Sequence, residues 1–181
     1  MEQPDTRTRI QNVALRLFNE NGYEATSLRE IADAIGVTKA ALYYHFKTKE
    51  EIVTSLIDDR VATIETLFAW GKTLPRDHDG RQTFIRRYAD ELYVGNHFDT
   101  MRFFERNPTA LRDHPSGERM REQMMSMLDY LVEPGASLKD RVRTSLAILA
   151  LHATWFVLRD ESITDDERKT AALEVAQDLL D

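Results

Sequence analysis

The stretch SLREIADAIGVTKAALYYHFKTKE, residues 27–50, constrains this chain more than any other. Ser27 followed three residues on by Glu30 has the pattern of a capping box, so a helix begins here. Leu28, Ile31, Ala32 and Ile35 recur at helical spacing and give that helix one apolar face. Gly36 stops it, because glycine turns the chain there without a steric penalty. Thr38 caps a second helix whose inward positions are Ala41, Leu42 and Phe46. Two helices joined by so short a turn describe a helix-turn-helix.

No acidic residue occurs from 38 to 49, whereas Lys39, Lys47 and Lys49 are cationic, and Tyr43, Tyr44 and His45 place hydroxyl and imidazole groups among them. Cations and short hydrogen-bonding groups on one helix face suit phosphates and base edges in a major groove. The same composition also fits an ordinary amphipathic helix pair with half-buried tyrosines and solvated lysines. Residue order separates the two readings.

In that order, residues 6–56 resemble the tetracycline repressor (TetR) family of one-component transcriptional regulators. The resemblance rests on ALRLFNENGY at 14–23, ATSLREIA at 25–32 and above all GVTKAALYYHFKTKE at 36–50. It implies an all-α fold, with an N-terminal three-helix helix-turn-helix DNA-binding domain (1–48) and a larger helical ligand-binding and dimerisation domain (49–181). It further implies a homodimer through the final two helices, about 137–181, that binds a palindromic double-stranded DNA operator. A ligand-responsive regulator follows, most often a repressor, released by a small hydrophobic or aromatic effector. By position in the motif, Arg29 and Lys39 are candidate base-edge contacts, Arg29 the stronger because a guanidinium bonds guanine bidentately. Tyr43, His45 and Lys49 fall at phosphate-contacting positions, and Thr26 and Ser27 add backbone N–H donors at a helix N-terminus. Tyr44 fits either role, and Ala40 is short enough to touch a thymine methyl.

The net charge of −7 looks wrong for a DNA-binding protein until its distribution is seen. The first fifty residues carry seven Lys/Arg and seven Asp/Glu, so the whole excess of acid lies beyond them. A neutral N-terminal domain implies affinity from a few placed contacts and from dimerisation, not from a strong basic field. The absence of cysteine excludes disulfides and thiolate chemistry. The start of the chain is polar and has no signal-peptide pattern. The longest apolar run, 146–158, is too short to cross a bilayer and contains His152 and Thr154, so it reads as a buried helix. A cytoplasmic protein with no membrane partner is expected.

Helical periodicity continues along the chain. A first helix over about 6–20 has Ile10, Val13, Ala14, Leu17 and Phe18 inward. Thr48 and Glu51 form another capping-box pattern, launching a helix to about residue 70. At about 22 residues it extends roughly 33 Å, enough to leave one domain and enter the next as a mechanical link. The spacing then predicts a loop over 71–80 and helices over 81–94, 98–107, 116–132, 137–159 and 164–180, with a weakly helical turn before Pro115. The helix carrying the apolar run must be covered on more than one side, which again points to a helical dimer.

No catalytic constellation, metal-ligand pattern or cofactor motif emerges, and an enzyme is not expected. Phe84, Tyr88, Phe103, Phe104, Met124, Tyr130, Trp155 and Phe156, with His152 among them, are candidates to line an apolar effector cavity. Plain core packing accounts for the same residues. The rival to the regulator is a helical dimeric interaction protein that has lost sequence-specific DNA binding or answers to a protein partner. The neutral N-terminal charge allows that rival; Arg29, Tyr43, His45 and Lys49 argue against it.

Overall fold

The computed structural model describes residues 5–93, 97–107, 115–157 and 162–181. Every regular element among them is a helix: α1 (Thr6–Asn21), α2 (Leu28–Ile35), α3 (Lys39–His45), α4 (Lys49–Gly71), α5 (His78–Leu92), α6 (His97–Arg106), α7 (Pro115–Leu131), α8 (Leu138–Val157) and α9 (Asp165–Asp178). None of the described helices is long and apolar enough to cross a membrane. The turn expected before Pro115 lies outside the described residues.

The chain divides into two compact units, one of residues 1–60 with 99–117, the other of 61–98 with 118–181. Helix α4 passes from the first into the second between Arg60 and Val61. In the first unit Ile10, Ala14, Leu15, Phe18, Ile31, Ala32, Leu42, Phe46, Ile52 and Ile57 are buried. Each fully buried large side chain contributes about 1.5–3 kcal/mol. The buried stripe of α1 is turned from the expected one: Gln11, Leu15 and Asn19 lie inside, while Val13 and Leu17 are half-buried. The cause is that α1 is covered by more than α2 and α3. Gln11 Nε2 donates to Ser55 Oγ (2.9 Å) and Asp59 Oδ2 (2.6 Å) on α4, and Asn19 Nδ2 donates to the Asp99 carbonyl on α6 (2.8 Å).

The second unit packs α9 on α8 and α5, and α5 on α8. Its centre is Phe84, whose ring meets those of Phe68, Trp70, Tyr88 and Tyr130 at centroid distances of 5.7–6.4 Å. Gly71 permits this approach, since a Cβ there would stand 2.6 Å from the Phe84 ring. Helix α5 begins earlier than the loop composition of 71–80 predicts. The Asp77 carboxylate accepts from Gly80 N–H (2.9 Å) and caps a helix starting at His78. Gly80 therefore sits in the first helical turn, where a Cβ would lie 1.9 Å from the Pro75 carbonyl oxygen.

The apolar helix α8 is only partly covered in the single chain. Ala147, Ile148 and Leu151 are buried, whereas Leu138, Val142, Leu146 and Leu149 are exposed, as is Val175 on α9. Their spacing puts the four α8 residues on one face.

Candidate nucleic-acid interface

Helices α2 and α3 are fixed by caps that the sequence encodes locally. Ser27 Oγ accepts from Glu30 N–H (3.2 Å), and Glu30 returns the bond to Ser27 N–H (2.7 Å). The Ser27 hydroxyl and backbone hold the Glu30 carboxyl below its ordinary range. At the other end Gly36 has φ +76°, with Val37 N–H bonded to the Ala32 carbonyl (3.1 Å) and Gly36 N–H to that of Asp33 (3.2 Å). That pair of bonds is a Schellman motif, which needs the left-handed glycine. Thr38 Oγ1 accepts from Ala41 N–H (3.1 Å) to start α3, and buried Leu42 and Phe46 seat it.

These constraints turn one face of α3 outward. Lys39, Ala40 and Tyr44 are exposed, Tyr44 by 81%, and Tyr43 and His45 are half-buried. So exposed a phenol gains nothing from its own core. Tyr44 is braced edge-on by His45 (5.2 Å), and the Lys39 ammonium lies 5.3 Å from the Tyr43 ring centre. A groove of about 420 Å³ opens between the start of α2 and α3, lined by Thr26, Ser27, Arg29, Lys39, Tyr43 and Lys49, with Lys47 beside them. Six of the nine residues expected at a DNA face thus share one concavity, and Ala40, Tyr44 and His45 lie on the adjoining helix. The Arg29 side chain is 81% exposed and pairs with Asp33 at 3.8 Å. An exposed pair of that kind is worth about 0.3–0.5 kcal/mol, so the guanidinium is free to leave it.

Three of the expected residues also have partners within the chain. Thr26 is buried, its hydroxyl donating to the Gly22 carbonyl (2.9 Å), and its N–H meets the Tyr23 carbonyl (3.4 Å). Ser27 N–H is taken by Glu30. The first-turn N–H groups left without intrahelical partners are those of Leu28 and Arg29, one and two residues further on. Lys49 directs its ammonium to the Tyr23 carbonyl (2.6 Å) and the Tyr23 ring (4.5 Å), tying the α1–α2 turn to the start of α4. Burial, and then the neighbouring Glu50 carboxylate, push the Tyr23 phenol up. Lys47 is the exposed cation of this end; its ammonium reaches the Tyr43 carbonyl, and its backbone N–H bonds Glu51 (2.6 Å). The acid-free run 38–49 contained that signal, because Lys47 is part of it.

The residues expected around an effector are divided between the units. Phe103 and Phe104 belong to the first, where Phe103 packs on Phe18 (5.7 Å) and Tyr23 (5.8 Å). Phe84, Tyr88, Met124, Tyr130 and His152 belong to the second. There Phe84 and Tyr88 are buried, Tyr130 donates to the Gly71 carbonyl (2.6 Å), and Tyr88 Oη is 2.9 Å from His152 Nε2. Burial pushes the Tyr130 phenol up. Met124 is half-buried on α7. The side chains of Trp155 and Phe156 lie outside the described residues. Among the described residues no group of three or more His, Asp or Glu is placed to hold a metal ion.

A three-helix unit whose second and third helices present cations and phenols from a fixed turn is a helix-turn-helix. The sequence profile of the bacterial regulatory proteins of the tetR family matches residues 10–56. It is 49% identical over 55 residues to the HTH-type transcriptional regulator AcrR of Shigella flexneri, a match covering 30% of this chain and 26% of that protein. The chain thus matches only about a quarter of that relative's length. It is 29% identical over 192 residues to the HTH-type transcriptional regulator TcmR of Streptomyces glaucescens, covering 97% of this chain and 82% of TcmR. The fold matches the crystal structure of a transcriptional regulator from Aquifex aeolicus, with a TM-score of 0.70 and 23% identity over 94% of this chain and 96% of that one.

Proposed function

We propose that this chain is a transcriptional regulator, a repressor that binds a palindromic operator as a homodimer and is released by a small molecule. The observation that carries the reading is the single groove of Arg29, Lys39, Tyr43, Lys47 and Lys49 on a rigidly capped helix-turn-helix. Helix α3 enters the major groove, Arg29 and Lys39 reach base edges, and Tyr43, Tyr44, His45, Lys47 and Lys49 line the path of the phosphates. Ala40 faces a thymine methyl.

Homodimerisation follows from the exposed apolar face of α8 with Val175 of α9, which two copies cover mutually. A two-fold dimer sets two copies of α3 about 34–36 Å apart, one turn of B-DNA, and so reads an inverted repeat. The effector occupies the second unit near Tyr88, His152, Met124 and Tyr130, where aromatic and methionine side chains accompany a few polar groups.

The test compares duplex binding by the wild type with that by Lys47→Ala across a salt titration. The variant is expected to lose about one unit per chain of the slope of log affinity against log salt. An unchanged slope places the phosphate path elsewhere.

A further inference from the structure

We propose that a charged pocket in the second unit, between the start of α5, the α7–α8 turn and the end of α9, binds a small zwitterion of the α-amino-acid class. The pocket holds about 240 Å³, below the roughly 300–1,000 Å³ of sites for larger ligands. Leu131, Leu179 and Leu180 supply its apolar lining. None of its lining residues belongs to the aromatic set assigned above to the effector.

The charges around it sort into used and unused groups. Arg81 and Glu133 pair at 2.6 Å and neutralise each other. Asp181 accepts from Gln82 Nε2 (3.1 Å) and lies 3.5 Å from His78 Nε2. Arg143 lines the pocket and has no contact-distance hydrogen bond or ion pair among the described residues, while its charge acts on the nearby Asp140 carboxyl. Asp140 stands three residues before it on the same face of α8, its carboxyl held below the ordinary range by the Ser137 hydroxyl. The cavity therefore offers a guanidinium whose donors meet no acceptor at contact distance among the described residues, carboxylates beside it and an aliphatic wall.

A simple anion meets the carboxylates of Glu133, Asp140 and Asp181, which outnumber the two arginines. A simple cation leaves Arg143 unmatched. A carboxylate for Arg143, an ammonium for Asp140 and Asp181, and a short aliphatic side chain against the leucines satisfy all three features at once. Because the pocket joins the ends of α5, α8 and α9, its occupant stiffens the helices that carry the exposed apolar face.

The test titrates L-leucine, N-acetyl-L-leucine and L-leucinamide into the full chain by isothermal calorimetry, with Arg143→Gln in parallel. Leucine is expected to bind with a dissociation constant of about 1 mM or tighter. Each blocked form, and leucine with Arg143→Gln, is expected to bind roughly tenfold more weakly or worse. Absence of leucine binding, equal binding of the blocked forms, or unchanged binding by a folded Arg143→Gln overturns the proposal. Should that variant fail to fold, the blocked ligands decide the matter on the wild type alone.

Discussion

At the scale of single residues, cations close together in sequence have different work. Arg29 is exposed and only weakly held by Asp33, so Arg29→Ala leaves the fold intact. Competition binding with operator variants is expected to show a loss of about 1–3 kcal/mol per contact and relaxed preference at one position of each half-site. Lys47→Ala is expected to weaken all sequences about equally and to lower the salt slope by about one per chain. Lys49→Ala differs, because its ammonium also bonds the Tyr23 carbonyl and covers the Tyr23 ring. Thermal melting should show a fall in Tm for Lys49→Ala and little change for Lys47→Ala; equal melting of the two contradicts the tie. Sequence order identified these side chains but not where each ammonium points, because that depends on the Tyr23 turn, twenty-six residues away from Lys49.

At the scale of helices, ends were legible wherever a cap is written in adjacent residues. Ser27 with Glu30, Gly36 and Thr38 all stand as their spacing predicts, and Thr164 with Glu167 closes a further capping box. The start of α5 was not legible, because Asp77, His78, Asp79 and Gly80 have loop composition and the same Asp77 carboxylate that suits a loop caps the helix through Gly80 N–H. Gly→Ala within a helix ordinarily stabilises it. Gly80→Ala is expected to reverse that sign and cost about 1–3 kcal/mol by denaturant unfolding, since backbone cannot yield as a side-chain tip does. The helix caps also carry a pH signature. Ser27 and Thr164 hold the Glu30 and Glu167 carboxyls below their usual value of 4.5. A carboxyl depressed in the folded state contributes stability that is complete above the unfolded value and lost as pH falls through the folded one. Unfolding free energy should therefore decline below about pH 4.5 more steeply in the wild type than in Glu30→Gln, Glu167→Gln; parallel curves contradict the assignment.

At the scale of the whole molecule, periodicity told that the helices are amphipathic but not what buries them, and on α1 the buried stripe is turned towards α4 and α6. Phe103 and Phe104 have the same apolar character as Phe84 and Tyr88, yet they fold with Phe18 and Tyr23 in the other unit. Such assignments depend on contacts far apart in sequence, which local spacing does not encode. The apolar run of α8 was legible as a helix needing two-sided cover, and in one chain Leu138, Val142, Leu146 and Leu149 are still exposed. Leu149→Glu puts a charge at the centre of that face. Sedimentation should show monomer in place of dimer, with operator affinity falling as the two half-sites uncouple; a dimer of unchanged stability places the interface elsewhere.

The central claim, a dimer reading an inverted repeat through α3, is tested most directly by selecting bound duplexes from a random DNA pool at physiological salt and sequencing them. Enrichment is expected of two half-sites related by a dyad, their centres one helical turn apart. No enriched repeat, from protein shown to be folded and dimeric, contradicts it and returns the chain to the helical interaction protein that its neutral N-terminal charge allows.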